Sequence, residues 1–191
     1  MALTASSSEG SYEVVPEGTH RAVCYKIVDS GTREEQYKEE DPKKRHSIFI
    51  YWELTELPMD DGRPFSINKQ YTLSLNENSN LHKDLKTWRG KSFTDKEAQS
   101  FDVTNLLGVP CLLSITHKTS NNGKTYANIA SVSMLPKGMD CPDQVNDKQE
   151  LTYSDFKQEL FDSLPDFIKE KIMMSKEYQS LNKDTNENLP F

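Results

Sequence analysis

Cysteine is scarce in this 191-residue chain: Cys24, Cys111 and Cys141 are widely spaced, odd in number, and form no C-x-x-C pair. A disulfide framework and a zinc ribbon are therefore excluded as organising devices, and a reducing compartment fits. No apolar run approaches the ~18 residues of a membrane span, and the small, polar start lacks the basic and apolar parts of a signal peptide. The expectation is a cytoplasmic protein with no membrane association. Enzyme signatures are missing as well: there is no Gly-rich phosphate loop, no G-x-S-x-G elbow, no H-E-x-x-H and no Glu-x-Lys nuclease centre. His20, His46, His82 and His117 are scattered rather than clustered. Binding rather than catalysis is expected, with no cofactor and no metal.

A surplus of positive charge is also lacking. The formal net charge is −7, which by itself argues against a nucleic-acid partner. Its distribution changes that inference. From Asp140 onward there are 12 acidic and 6 basic residues, against 18 acidic and 17 basic before it, so most of the acidity belongs to the last quarter.

What is present is a series of β-rich runs separated by turn clusters. Residues 19–30, 46–57, 65–75, 109–119 and 124–135 read as five strands. Asn121-Asn122-Gly123 is a hairpin turn between the last two, since Asn and Gly tolerate the positive φ that such turns need. Between the third and fourth runs, Leu81, Leu85 and Trp88 have helical spacing, and Thr94-Asp95-Lys96-Glu97 matches a capping box. Three strands, a helix and two strands form the chain order of the OB-fold, a five-stranded Greek-key barrel that binds oligonucleotides or oligosaccharides. The expected fold is mainly β. A disordered arm (residues 1–13) precedes an OB-fold domain (14–139), followed by a C-terminal helical segment (140–181) and a flexible tail (182–191). In the helical segment, Ser154 and Pro165 open two short amphipathic helices carrying Phe156, Leu160, Phe161, Leu164, Phe167, Ile168 and Ile172.

The second strand is the most informative. Ile48, Ile50, Trp52 and Leu54 form an apolar row, and the alternate face carries Ser47, Phe49, Tyr51 and Glu53. Two arrangements are open for Phe49 and Tyr51: display on the outer face, or burial under the C-terminal helices. The first is carried forward, because aromatics beside Lys43, Lys44 and Arg45 are what single-strand binding uses, rings for bases and cations for phosphates. In the third strand Lys69 interrupts an apolar row, and Asn68, Gln70 and Thr72 lie opposite it. Tyr126 on the fifth strand offers a further ring. The candidate single-strand site is thus Phe49, Tyr51 and Tyr126 for stacking, with Lys43, Lys44, Arg45, Lys69, Lys118 and Lys124 for phosphates.

Several stretches resemble the single-stranded DNA-binding proteins of bacteriophages. They are residues 15–23 (VPEGTHRAV), Ile50-Tyr51-Trp52-Glu53-Leu54, residues 69–75 (KQYTLSL), Trp88-Arg89-Gly90-Lys91 and Leu107-Gly108-Val109-Pro110-Cys111. The likeness spans about residues 14–138. The closing Leu189-Pro190-Phe191 resembles the tip of bacterial single-strand-binding proteins, with Asp184 and Glu187 as the nearest acids. The resemblance implies a protein that coats single-stranded DNA in phage replication, recombination or repair, in the cytoplasm of a bacterial host. It also implies that Leu189, Pro190 and Phe191 recruit replication or recombination proteins, the ring and carboxylate entering a basic-rimmed apolar pocket. A homo-oligomer is compatible with the sequence. The rival reading is a protein-binding adaptor or inhibitor on an OB-like scaffold that never touches nucleic acid.

Overall fold

The computed structural model describes residues 13–36, 41–141 and 143–187. The arm before Glu13 and the tip Leu189-Pro190-Phe191 lie outside the described residues. All five expected strands are present: β1 (Gly18–Glu35), β2 (Lys43–Pro58), β3 (Pro64–Thr72), β4 (Pro110–Thr119) and β5 (Thr125–Ser133). β1 and β2 run several residues further than their apolar patterns, because their hairpin arms stay in register from Thr32↔His46 to Glu35↔Lys43. The sheet order is β3-β2-β1-β4-β5, antiparallel throughout, with the short β6 (Gln149–Leu151) added parallel to β1. β4 pairs only with residues 18–23 of β1, and β6 takes up the edge from Lys26 to Val28.

The inner face packs on α1 (Asn80–Arg89). Leu81, Leu85 and Trp88 of this helix meet Ile48, Ile50, Trp52, Leu54, Leu113, Ile115 and Val132, with the two tryptophan rings 5.7 Å apart. Ser79 caps the helix by accepting from the His82 amide, and Gly90 ends it at φ +68°. α1 also spans the two edge strands. Asp84 accepts from Tyr71 Oη of β3 at 2.7 Å, and Thr87 Oγ1 donates to Val132 O of β5 at 2.6 Å. α1 in this way bridges the two edge strands of an open sheet. The capping box opens α2 (Asp95–Gln99), as its spacing predicts.

The C-terminal segment departs from expectation in two ways. It forms three helices, α3 (Gln158–Asp162), α4 (Asp166–Met173) and α5 (Lys176–Glu187), so residues 182–187, expected as part of a flexible tail, continue a helix. It also builds a second core on the outer face of the sheet, where Phe161, Leu164, Ile168 and Ile172 pack on Tyr25, Val28, Phe49, Tyr51 and Leu151. At about 1.5–3 kcal/mol for each fully buried apolar side chain, these four contribute on the order of 6–12 kcal/mol before ordering costs. The helices are an integral layer, not a loosely held lid.

Candidate nucleic-acid interface

The outer face of β2 and β3 decides the fate of the candidate residues. Phe49 and Tyr51, expected as exposed stacking platforms, are only 3% and 5% exposed. The reason is the second core: α3 and α4 bring enough apolar surface to cover both rings, and Lys26 Nζ lies 4.5 Å from the centre of the Tyr51 ring. Lys69, expected to hold phosphate, is also reassigned. Its ammonium sits 2.7 Å from Asp84 Oδ2 and donates to Ile129 O at 3.5 Å, so it ties β3 to α1 and β5. A lysine in an otherwise apolar row is tolerated there because it meets a carboxylate.

The helical layer does not cover the whole outer face. Beyond Phe49 and Gln70 it gives way to an open cleft of about 1000 Å³, lined by Lys43, Arg45 and Ser47 of β2, Gln70 and Thr72 of β3, the polar side chains of Ser74, Asn76, Asn78 and Asn80, and Lys171 of α4. Strand parity places these groups together: Lys43, Arg45 and Ser47 share the face of Phe49, and Ser47 and Phe49 stand opposite Thr72 and Gln70. Lys44 has the other parity, does not line the cleft, and lies 3.9 Å from Glu34.

The cleft is cationic. Lys171 Nζ donates to Gln70 Oε1 at 2.5 Å and sits 5.4 Å from the Phe49 ring centre. Burial, with the Arg33 guanidinium nearby, pulls its ammonium below the usual lysine range despite the opposing influence of Glu35. Among the described residues, neither Lys171 nor Arg45 has a carboxylate within ion-pair distance. Glu35, the one acid lining the cleft among the described residues, is held by Arg33 at 3.1 Å. Lys171 was missed in the sequence because it looked like a solvated position on an amphipathic helix.

Of the remaining candidates, Lys118, Lys124 and Tyr126 lie on the β4–β5 hairpin, with Lys118 directly opposite Tyr126. Tyr126 is 47% exposed and both lysines are exposed, so this group is a separate cationic and aromatic patch that does not line the cleft. Among the described residues no group of His, Cys, Asp and Glu has the geometry to hold a metal. No helix among them is long and apolar enough to cross a membrane.

A polar key fixes the helical layer beside the cleft. Glu177 of α5 accepts from Thr32 N at 2.7 Å and Thr32 Oγ1 at 2.6 Å, and His46 Nε2 lies 2.7 Å from Asp29 Oδ1. At Gly31, where φ is +72°, an added Cβ would come within 2.5 Å of Ser175 Cβ, so only glycine lets the chain after α4 approach β1 this closely. The hydrogen bond to Asp29 raises the His46 pKa against the effect of burial, with Glu177 adding to it. Burial alone would raise the Glu177 carboxyl, but the two Thr32 donors and His46 outweigh it and hold it low. The signs give a window. The His46 contribution is full below its ordinary 6.5 and is lost as pH rises through the raised folded value; that of Glu177 is full above 4.5 and is lost as pH falls. Urea melts are expected to show His46→Gln destabilising the protein at pH 5.5 and having a much smaller effect at pH 8.5. An equal effect at both would remove the ionic part of this account.

No family model matches the chain, and no curated protein is significantly similar to it.

Proposed function

We propose that the protein binds single-stranded DNA without catalysis, in the cationic cleft at the uncovered end of the β2–β3 outer face. The observation that carries this reading is the pair Arg45 and Lys171. They are two cations with no carboxylate within ion-pair distance among the described residues, set in one cleft with Lys43 and with amides and hydroxyls suited to sugar and phosphate. An acidic chain whose described cleft lining holds three cations and one engaged acid is organised to receive an anion. The sheet order supports an OB-fold reading: β1 is flanked by β2 and β4, and the helix between β3 and β4 bridges the edges. The function fits phage replication, recombination or repair in a bacterial cytoplasm, with Leu189, Pro190 and Phe191 as the peptide that recruits partner proteins.

Titration of labelled oligo-dT against duplex, at several salt concentrations, tests the reading. Binding should favour the single strand and weaken steeply with salt. Arg45→Ala should cost about ten- to a hundredfold in affinity, the loss of one charge-assisted contact, and should lower the salt slope by about 0.7. Equal affinity for duplex, or no binding at low salt, would instead favour the protein-binding adaptor. That second reading draws on the aromatic face of β2 being covered by protein rather than open to bases.

A further inference from the structure

Phe49 and Tyr51 are buried, as is Tyr71, so the described lining of the cleft has cations but no exposed aromatic face of the kind single-strand binding uses for bases. Among the described residues, α4 carries an exposed ring beside the cleft residue Lys171. Phe167 is 53% exposed although its neighbour Ile168 is fully buried, and it stands one helical turn before Lys171. Both side chains converge on the same buried ring: the Phe167 centroid is 6.4 Å from that of Phe49 in an edge-on arrangement, and Lys171 Nζ is 5.4 Å from it. Phe167 does not line the cleft itself, but it adjoins Lys171, which does, and its contact with Phe49 anchors it to the second core.

We propose that Phe167 is the base-stacking platform of this interface and Lys171 its adjoining phosphate contact, so that α4 forms one wall of the nucleic-acid path and does not merely cover the sheet. The inference rests on the single-strand reading above and names residues that reading does not require. Three features support it. Residues i and i+4 on a helix have Cβ atoms about 5–6 Å apart, a span that one nucleotide covers from base to phosphate. The platform is preorganised, because Ile168 and Ile172, both fully buried, fix the helix in the second core. Lys171 faces Arg33 and Glu35 from β1 and Gln70 from β3; Glu35 is held by Arg33, so the nearest carboxylate is already engaged. A strand stacked on Phe167 would run past Lys171 to Arg45 and Lys43 without crossing a free acid among the described residues of the lining. Every base has a π-face, so such a platform would be indifferent to sequence.

The test uses the full chain and oligo-dT. Trp52 and Trp88 are both buried, so a Phe167→Trp variant adds the one solvent-facing indole among the described residues. Its added emission should be quenched as oligo-dT binds, in step with the anisotropy of a labelled oligonucleotide. Phe167→Ala should weaken binding about five- to a hundredfold, the alanine cost of one stacked base, with the thermal melt little changed. Phe167→Leu keeps an apolar contact on Phe49 but has no π-face, and should not restore affinity. If the wild-type protein and all three variants bind equally and the new indole is not quenched, the platform is overturned while the cleft stands. If the wild type itself does not bind oligo-dT at low salt, platform and cleft reading both fall.

Discussion

Phe49→Ala is expected to lower stability by about 3–5 kcal/mol, the range for truncating a buried phenylalanine, rather than to act mainly on ligand binding. The ring is 3% exposed and lies between β2 and α4, touched edge-on by Phe167 and overlain by the Lys171 ammonium. Removing it leaves a cavity in the second core that neither the sheet nor the helices can close without moving. For a chain of this length the loss corresponds to a fall of about 6–20 °C in the melting temperature. Tyr51→Phe is the informative companion. The Tyr51 hydroxyl is buried with no hydrogen-bond partner among the described residues, so its removal should be neutral or slightly stabilising. Thermal and urea melts of the two variants measure this contrast. A Phe49→Ala protein that melts like the wild type but binds oligo-dT poorly would mean the helical layer is open in solution and the ring is a platform after all.

How far this was legible in the sequence depends on whether the deciding partner was local. The strands follow from alternation and turn residues, α1 follows from the spacing of Leu81, Leu85 and Trp88, and the start of α2 follows from the capping box at Thr94, because those signals act within a few residues. Which face of β2 is wet did not follow. Phe49 and Tyr51 look the same whether water or a second layer covers them, and the layer arrives more than a hundred residues later in Phe161, Leu164, Ile168 and Ile172. One signal was available: Ile48 to Leu54 is bulky on both faces, as expected of a strand buried on both sides. Lys69 is a similar case. A lysine breaking an apolar row announces a buried carboxylate partner, but the sequence could not say that it was Asp84. Lys43 and Arg45 were legible as part of the basic cluster that opens β2, although strand parity then separates them from Lys44. Lys171 and Phe167 were not, since only the packing of α4 brings Lys171 to the cleft and Phe167 against Phe49. The continuation of α5 through residues 182–187 was hidden by a polar composition that reads equally as a tether.

The other large effect is expected at Glu53, a carboxylate that is fully buried on the outer face of β2. Burying a charge is costly unless its oxygens are satisfied, and here three donors meet them: the Val145 amide at 2.6 Å, the Asn146 amide at 2.9 Å, and Asn146 Nδ2. All three come from the segment that leads from β5 into β6 and the helical layer, so Glu53 fastens that layer's starting point to the sheet. Glu53→Gln keeps the shape but turns an NH₂ group toward donors it cannot accept from, and is expected to cost about 2–4 kcal/mol. Glu53→Ala removes every acceptor and adds a cavity, and should cost about 3–5 kcal/mol. Because the backbone amides are the chief partners, Asn146→Ala should cost much less, and the double variant with Glu53→Gln should fall short of the sum by ~0.5–1.5 kcal/mol. Urea melts of the four proteins complete the cycle. Strict additivity would show that Asn146 and the carboxylate do not interact. A negligible cost for Glu53→Gln would mean instead that the segment before β6 is held by its apolar contacts alone.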